Sequence, residues 1–522
     1  MIRKDIFKEL GRLKPSLYHS EVNFSSTFII PIPHNVHKLN NSKDIESFFE
    51  TVHKHWDIKN IAIENTLGLW DIKKYIKKNI FEPLVIFNSK RIKEDFIYEK
   101  KNILLSNKDS KNNKNIEFEF EFQHRVNGES VQKKLQLILK EIDLWIMDGS
   151  IAFFAYKIEL SKDNIYDVNT ISTQLNRNLR DYKNLSIDLH SKKVFHNSKK
   201  GMDLIEYFMR LTMNQDKKSF LNVVYQDKKF DVDSDLEVIN DSTFYAKTIT
   251  ALHVKEDSVK VQSQVFAITP IAEELSESAS VNIGILEELS YLLGTTSSYD
   301  FDEELAYVAY AGYVYPIIKD NGINIWKFWS GIALQDSVAF FSIDQGGSGI
   351  VYNSKTSNYF LYVINLYVSI RLKYIENYLI DKDFLNIDRI LQSVQEVQVL
   401  KNHYIASEIS LRFQPNHINE KINLGLKNHE LLNEIEDNLA KTLELTKYNT
   451  GMVVSIVAGL ITFSGVWLNG DLITELYTNH PYVTSITGIF FILGLSIAVH
   501  NKSSVLKFVT KKIVQLKRLL TR

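Results

Sequence analysis

Read for apolar and polar positions alone, the chain changes character twice. Up to about residue 357, short apolar stretches alternate with polar ones; from Asn358 apolar residues fall at helical spacing; from Met452 two apolar runs stand almost without interruption. In the first part, Ile116-Glu-Phe-Glu-Phe-Glu-Phe122 alternates strictly with period two, which predicts a strand with one buried face. Leu135–Met147 and Ser150–Leu160 flank Asp148-Gly149, a dipeptide suited to the positive φ angles of a type I′ turn, and together they predict a hairpin. Phe28–Val36 contains Pro31 and Pro33, which cannot donate to a ladder, so an edge strand is expected there. Phe220–Tyr225, Phe244–Val254 and Ala333–Ile343 also suit strands. Ser42–Trp56, Trp70–Asn79, Tyr166–Arg180, Gly201–Met213 and Ile283–Leu293 suit helices.

The second part predicts long helices. Tyr359–Leu379 is one, Phe384–Phe413 a second, and Pro415 marks the break before a third that starts near His417. Leu432, Ile435, Leu439, Leu443 and Thr446 keep the three-four spacing of a coiled-coil seam. With no proline before Met452, the pattern predicts one helix of ~50 residues, on the order of 75 Å long, running into the third part.

There, Met452–Leu468 and Tyr482–Val499 approach the ~20 apolar residues that a bilayer crossing takes. The competing reading is a helical hairpin buried in a globular core. The link Asn469–Pro481 holds Asp471 and Glu475 but no Lys or Arg. The tail holds Lys502, Lys507, Lys511, Lys512, Lys517, Arg518 and Arg522 and no acid. Basic residues collect on the cytoplasmic side. The expectation is therefore a multi-pass protein of the inner membrane with both termini cytoplasmic. Its fold class would be an α+β cytoplasmic part (1–215 and 216–357), long α-helices forming a stalk (358–451), a C-terminal two-helix transmembrane hairpin (452–500) and a basic tail (501–522).

Composition changes this picture little. The chain of 522 residues is 44% hydrophobic, enough for a sizeable core, and its net charge of −1 gives no field to attract nucleic acid. Cys is absent, which removes disulfides, zinc–thiolate sites and Cys nucleophiles. His34/His37 and His53/His55 lack a third ligand at helical spacing, so no metal centre is expected.

On the first apolar run, Gly451, Ser455, Gly459, Thr462, Gly465 and Asn469 fall on one side of a helical wheel. Such a stripe suits a water-lined pore face, or close packing of small residues. A pore needs several copies, in which Asp471 and Glu475 would form carboxylate rings that gather cations. Gln345-Gly-Gly-Ser-Gly349 is glycine-rich without a Walker lysine, so it reads as a turn or as an anion nest. Lys157, Arg177 and Arg180 are candidate phosphate contacts beside the Asp148-Gly149 hairpin. Asp336 and Arg371 interrupt apolar stretches and would each need a partner if buried. No Ser/His/Asp set, metalloprotease helix or paired-acid hydrolase signature is present, so no enzyme is expected.

The layout over His417–Arg522, a long helix leading to two spans and a basic end, resembles the CorA family of divalent-cation channels, which are funnel-shaped pentamers. That family's Gly-Met-Asn signature is missing, since the end of the first run reads Trp467-Leu468-Asn469-Gly470-Asp471, and only Asn469 carries over as a pore-mouth residue. The long cytoplasmic part is similar to the divergent CorA-like effectors of type III CRISPR systems, which answer an S-adenosylmethionine–AMP messenger. The resemblance implies a homopentameric, nucleotide-gated channel or membrane-disrupting effector in antiviral defence. The alternatives are a constitutive magnesium transporter, with Mg2+ as the carried ion, and a membrane-anchored scaffold with no pore.

Overall fold

The computed structural model describes residues 22–33, 56–58, 103–107, 116–126, 129–147, 151–160, 175–180, 185–196, 202–204, 246–254, 285–295, 314, 316–326, 329–343, 349–380, 387–405, 408–442 and 444. Its centre is one 13-stranded mixed sheet: β1 (Val22–Pro33), β2 (Trp56–Ile58), β3 (Ile103–Asn107), β4 (Ile116–Val126), β5 (Glu129–Ile146), β6 (Ile151–Leu160), β7 (Leu185–Asp188), β8 (Lys193–His196), β9 (Met202–Asp203), β10 (Lys247–Val254), β11 (Gly322–Trp326), β12 (Trp329–Ala333) and β13 (Ser337–Ile343). The main path runs β11-β12-β13-β10-β1-β6-β5-β4-β8-β7-β9, while β3 joins β5 and carries β2. β10 and β13 are parallel, as are β4 and β8, and every other pair is antiparallel. Sequence segments expected in two separate regions, 1–215 and 216–357, thus meet edge to edge where β1 pairs with β10.

The helices include α1 (Arg177–Arg180), α2 (Ile285–Thr295), α3 (Gly349–Lys355), α4 (Ser357–Ile380), α5 (Ile387–His403) and α6 (Phe413–Gly425). Consecutive strand residues point to opposite faces, so β6 reports both sides of the sheet. Tyr156 donates from its hydroxyl to Leu179 O at 3.2 Å, beside α1, while the Lys157 ammonium lies over the Tyr359 ring of α4 at 4.7 Å. Helices therefore cover both faces here. This is why β6 reads IAFFAYKIEL with almost every residue buried instead of alternating.

The local signals hold where one face or one turn decides the structure. In β4, Phe118 and Phe120 are buried and Glu117 is exposed. β5 and β6 pair antiparallel across 148–150, and Met147 N–H donates to Ile151 O at 2.9 Å. Phe28–Val36 differs: β1 is a central strand, flanked by β6 and β10. Its pairing with β10 stops at Ile29, so Pro31 and Pro33 fall where the strand is paired on one side only. The prolines thus mark a local edge of an otherwise interior strand.

The expected fold class needs correcting. The single helix of ~50 residues does not form: α6 stops at Gly425, Lys427 takes a φ of 59°, and helix resumes at residue 428. Pro415 does not separate two helices but lies in the first turn of α6, where its missing N–H costs nothing. Among the described residues, no helix is long and apolar enough to cross a membrane. Against the expected two-helix transmembrane hairpin and inner-membrane, multi-pass localisation, the described helices thus supply no membrane span. The runs Met452–Leu468 and Tyr482–Val499 lie outside the described residues. The chain divides into two compact units, Met1–Tyr374 with Leu400–Leu431 and Ile375–Val399 with Leu432–Arg522.

Candidate functional site

Two charged groups are built into the first unit. On the α4 side of the sheet, the Lys157 ammonium lies 2.7 Å from Glu141 Oε2 and 3.0 Å from Asp143 Oδ2. The register places Lys157 opposite Glu141 and Ala155 opposite Asp143, so both acids flank one lysine on a single face. Trp145 Nε1 donates to the Tyr359 hydroxyl at 2.7 Å, and that hydroxyl feels the Asp143 charge. Burial disfavours the Lys157 charge, yet Asp143 and Glu141 outweigh it and push its pKa up. Burial, with Asp143, drives the Tyr359 hydroxyl well above its ordinary value. Asp143 is fully out of water and each charge has its partner. This group ties α4 to the sheet.

The second group lies at the start of β10 and β13 and is more open. α1 is short but firmly placed. Asn176 Nδ2, just before it, donates to Leu293 O at 3.2 Å, and Ala246 N–H donates to Arg180 O at 2.9 Å. Arg180 Nη1 donates to Gly294 O at 3.1 Å, a cation at the carbonyl end of α2. Arg180 Nη2 then stands 3.8 Å from Asp336 Oδ2, and Lys247 Nζ is paired with Asp336 Oδ1.

Asp336 sits in the turn between β12 and β13, its side chain 46% exposed. Burial opposes its charge, but Lys247 foremost, then Arg180 and Lys373, hold its pKa below the usual carboxylate range. One hydroxyl, that of Tyr362, borders this group; Thr248 meets it through its backbone, its side chain lying on the sheet face opposite to Lys247. Thr248 donates its backbone N–H to Asp336 O at 3.1 Å. Tyr362 feels the charges of Asp336 and Arg180, and burial pushes its pKa up. Both side chains are fully buried, and neither Thr248 Oγ1 nor the Tyr362 hydroxyl has a hydrogen-bond partner among the described residues.

Of the residues singled out for ligand contact, the fold brings Arg180 and Asp336 together. Lys157 belongs to the sealed group, and Arg177 is exposed on α1. Arg371 lies over the Tyr374 ring of α4 at 4.9 Å. Gly451, Ser455, Gly459, Thr462, Gly465, Asn469, Asp471 and Glu475 lie outside the described residues, as do His34, His37, His53 and His55. Lys247, Thr248 and Tyr362 escaped sequence reading, because each sits in an ordinary strand or helix pattern. Within the group, Arg180 and the isolated Asp336 offered the sequence signals. Among the described residues, no cluster of three or more His, Asp or Glu is placed to hold a metal ion. No known protein family, curated protein or solved structure matches the chain.

Proposed function

We propose that the first unit is a sensor that binds a small phosphate-bearing ligand at the Arg180–Lys247–Asp336 group. A nucleotide messenger, as the resemblance implies, is the first candidate. The observation that carries this reading is the convergence of a guanidinium and an ammonium on one half-exposed carboxylate, bordered by the buried Tyr362 hydroxyl, which has no partner among the described residues. A guanidinium offers paired donors that match phosphate oxygens, and an ammonium adds a point charge. Leaving a buried hydroxyl unsatisfied costs about 1–3 kcal/mol, and a phosphate oxygen would supply the acceptor that Tyr362 lacks. Asp336 then acts as the internal anion that the ligand displaces. Ligand-free and bound states differ in who holds the two cations, and that difference lets ligand shift a population.

The unit works by binding, not turnover. The test is calorimetric titration of the whole protein with inorganic phosphate, pyrophosphate, ATP and an S-adenosylmethionine–AMP conjugate, repeated on Arg180→Met and Lys247→Met. Binding of at least one phosphate compound, weakened tenfold or more in both variants, is the expected result. No binding by any of the four, or binding indifferent to both substitutions, overturns the reading.

A further inference from the structure

The turn that carries Asp336 has a second neighbour. Its first residues, Ala333 and Leu334, lie against the end of α6. A Cβ placed on Gly425 would stand 2.5 Å from Ala333 O, 2.7 Å from Ala333 C and 3.0 Å from Leu334 N. All three are backbone atoms, so no side chain can swing aside. Gly425 is therefore required for close approach, while the positive φ of the same elbow falls two residues later, on Lys427.

On its other side the turn is held by the sensor group. Leu334 N–H donates to Ser337 O at 2.7 Å, Thr248 N–H donates to Asp336 O at 3.1 Å, and Ser337 Oγ donates to Gly294 O at 2.8 Å. Gly294 O is also the acceptor of Arg180. The Asp336 side chain is thus the link between this turn and the two cations.

The elbow is itself held by a small set of polar bonds. Asn428 Nδ2, directly after the elbow, donates to Asn365 O at 3.1 Å and to Asn423 Oδ1 at 2.9 Å. Asn365 Nδ2 donates to Asn419 Oδ1 at 2.8 Å. These side chains are buried, and Asn365 Oδ1 and Asn428 Oδ1 have no hydrogen-bond partner among the described residues. An incompletely satisfied buried amide set stabilises its arrangement less than a complete one. Local opening is drawn from such segments.

We infer that the Leu334–Asp336 turn relays ligand occupancy from the cation pair to the 425–428 elbow. This rests on reading the Arg180–Lys247–Asp336 group as an anion site. When a phosphate group takes Arg180 and Lys247 from Asp336, the turn loses its side-chain anchor. Its backbone presses on Gly425, so the elbow loosens or re-sets. The elbow is where the chain prepares to leave this unit, which ends at Leu431. Two arrangements of the turn, one tied to the cations and one released, are the bistable element that such a relay needs.

Hydrogen–deuterium exchange on the whole protein tests this, read on peptides spanning 418–431, with and without saturating pyrophosphate. Asp336→Asn keeps the side-chain shape but removes the charge that holds the cations. In that variant, these peptides are expected to exchange several-fold faster without any anion, and pyrophosphate is expected to add little further. In the unsubstituted protein, pyrophosphate alone should reproduce the acceleration. Calorimetric binding of pyrophosphate with no change at 418–431 sinks the relay and leaves the sensor reading intact. Faster exchange in Asp336→Asn, with none of the four phosphate compounds binding to the unsubstituted protein, sinks the sensor reading and leaves the mechanical link. Unchanged exchange in Asp336→Asn overturns the relay outright.

Discussion

Lys157 and Asp143 stand 3.0 Å apart between the sheet and α4, with the carboxylate wholly shielded from water. Removing one partner of a buried pair leaves an uncompensated charge, a loss of about 3–5 kcal/mol. Lys157→Met is therefore expected to lower the urea midpoint sharply. Lys157→Met combined with Asp143→Leu should lose much less than the two single losses added together. Chemical denaturation of the three variants checks this. Additive losses would show that the pair is not an energetic unit.

Tyr362→Phe removes a buried hydroxyl that has no partner among the described residues and keeps the ring. Without ligand, the variant should be more stable by about 1 kcal/mol, since a desolvated donor is deleted. With a phosphate ligand, it should bind several-fold more weakly. Opposite signs for stability and affinity separate a ligand-facing hydroxyl from a packing residue. Thermal melts and calorimetry on one preparation read both.

Gly425→Ala puts a methyl group 2.5 Å from Ala333 O. Overpacking against a rigid neighbour costs about 1–3 kcal/mol, so the melting temperature should fall. The same substitution at Gly349, where an added Cβ meets nothing within 4 Å, serves as the control and should be close to neutral. A neutral Gly425→Ala would mean that α6 does not seat on the β12–β13 turn.

Acid should unfasten the β4–β8 side of the sheet. Glu121 is held at a pKa of about 2, chiefly by its hydrogen bond to Lys193, with Lys134 opposite it on β5 adding to the effect. A lowered carboxyl pKa stabilises the fold fully above the unfolded value of 4.5, and that contribution fades as pH falls toward about 2. The urea midpoint of the unsubstituted protein should therefore drop over this window. Glu121→Gln should be less stable at neutral pH and show a shallower decline. Parallel pH curves for the two proteins would remove Glu121 from the account.

Much of the fold is legible in the residue pattern because short-range physics decides it. The alternation in Ile116–Phe122 names the buried face of β4, and Asp148-Gly149 places a hairpin turn, since in each case the evidence lies within a few residues. Central position is another matter. Pro31 and Pro33 suggest an edge strand, and nothing local reveals that β10, some 220 residues onward, pairs with the rest of β1.

Gly425 shows the same limit from the other direction. A single glycine in a helical pattern costs about 1 kcal/mol and does not by itself end a helix. What requires a glycine there is the backbone of Ala333 and Leu334, which comes close only after the sheet is assembled.

Residue order by itself gave the alternation of β4, the antiparallel pairing of β5 with β6, and the need of Asp336 for a partner if buried. Tertiary structure alone decided that Asp336 is shared between Arg180 and Lys247, that the Tyr362 hydroxyl borders them, and that Gly425, far along the chain, touches the same turn. Periodicity is written in neighbours along the chain, whereas charge pairing and close backbone approach depend on distances through space. Those distances exist only once strands far apart in sequence have paired.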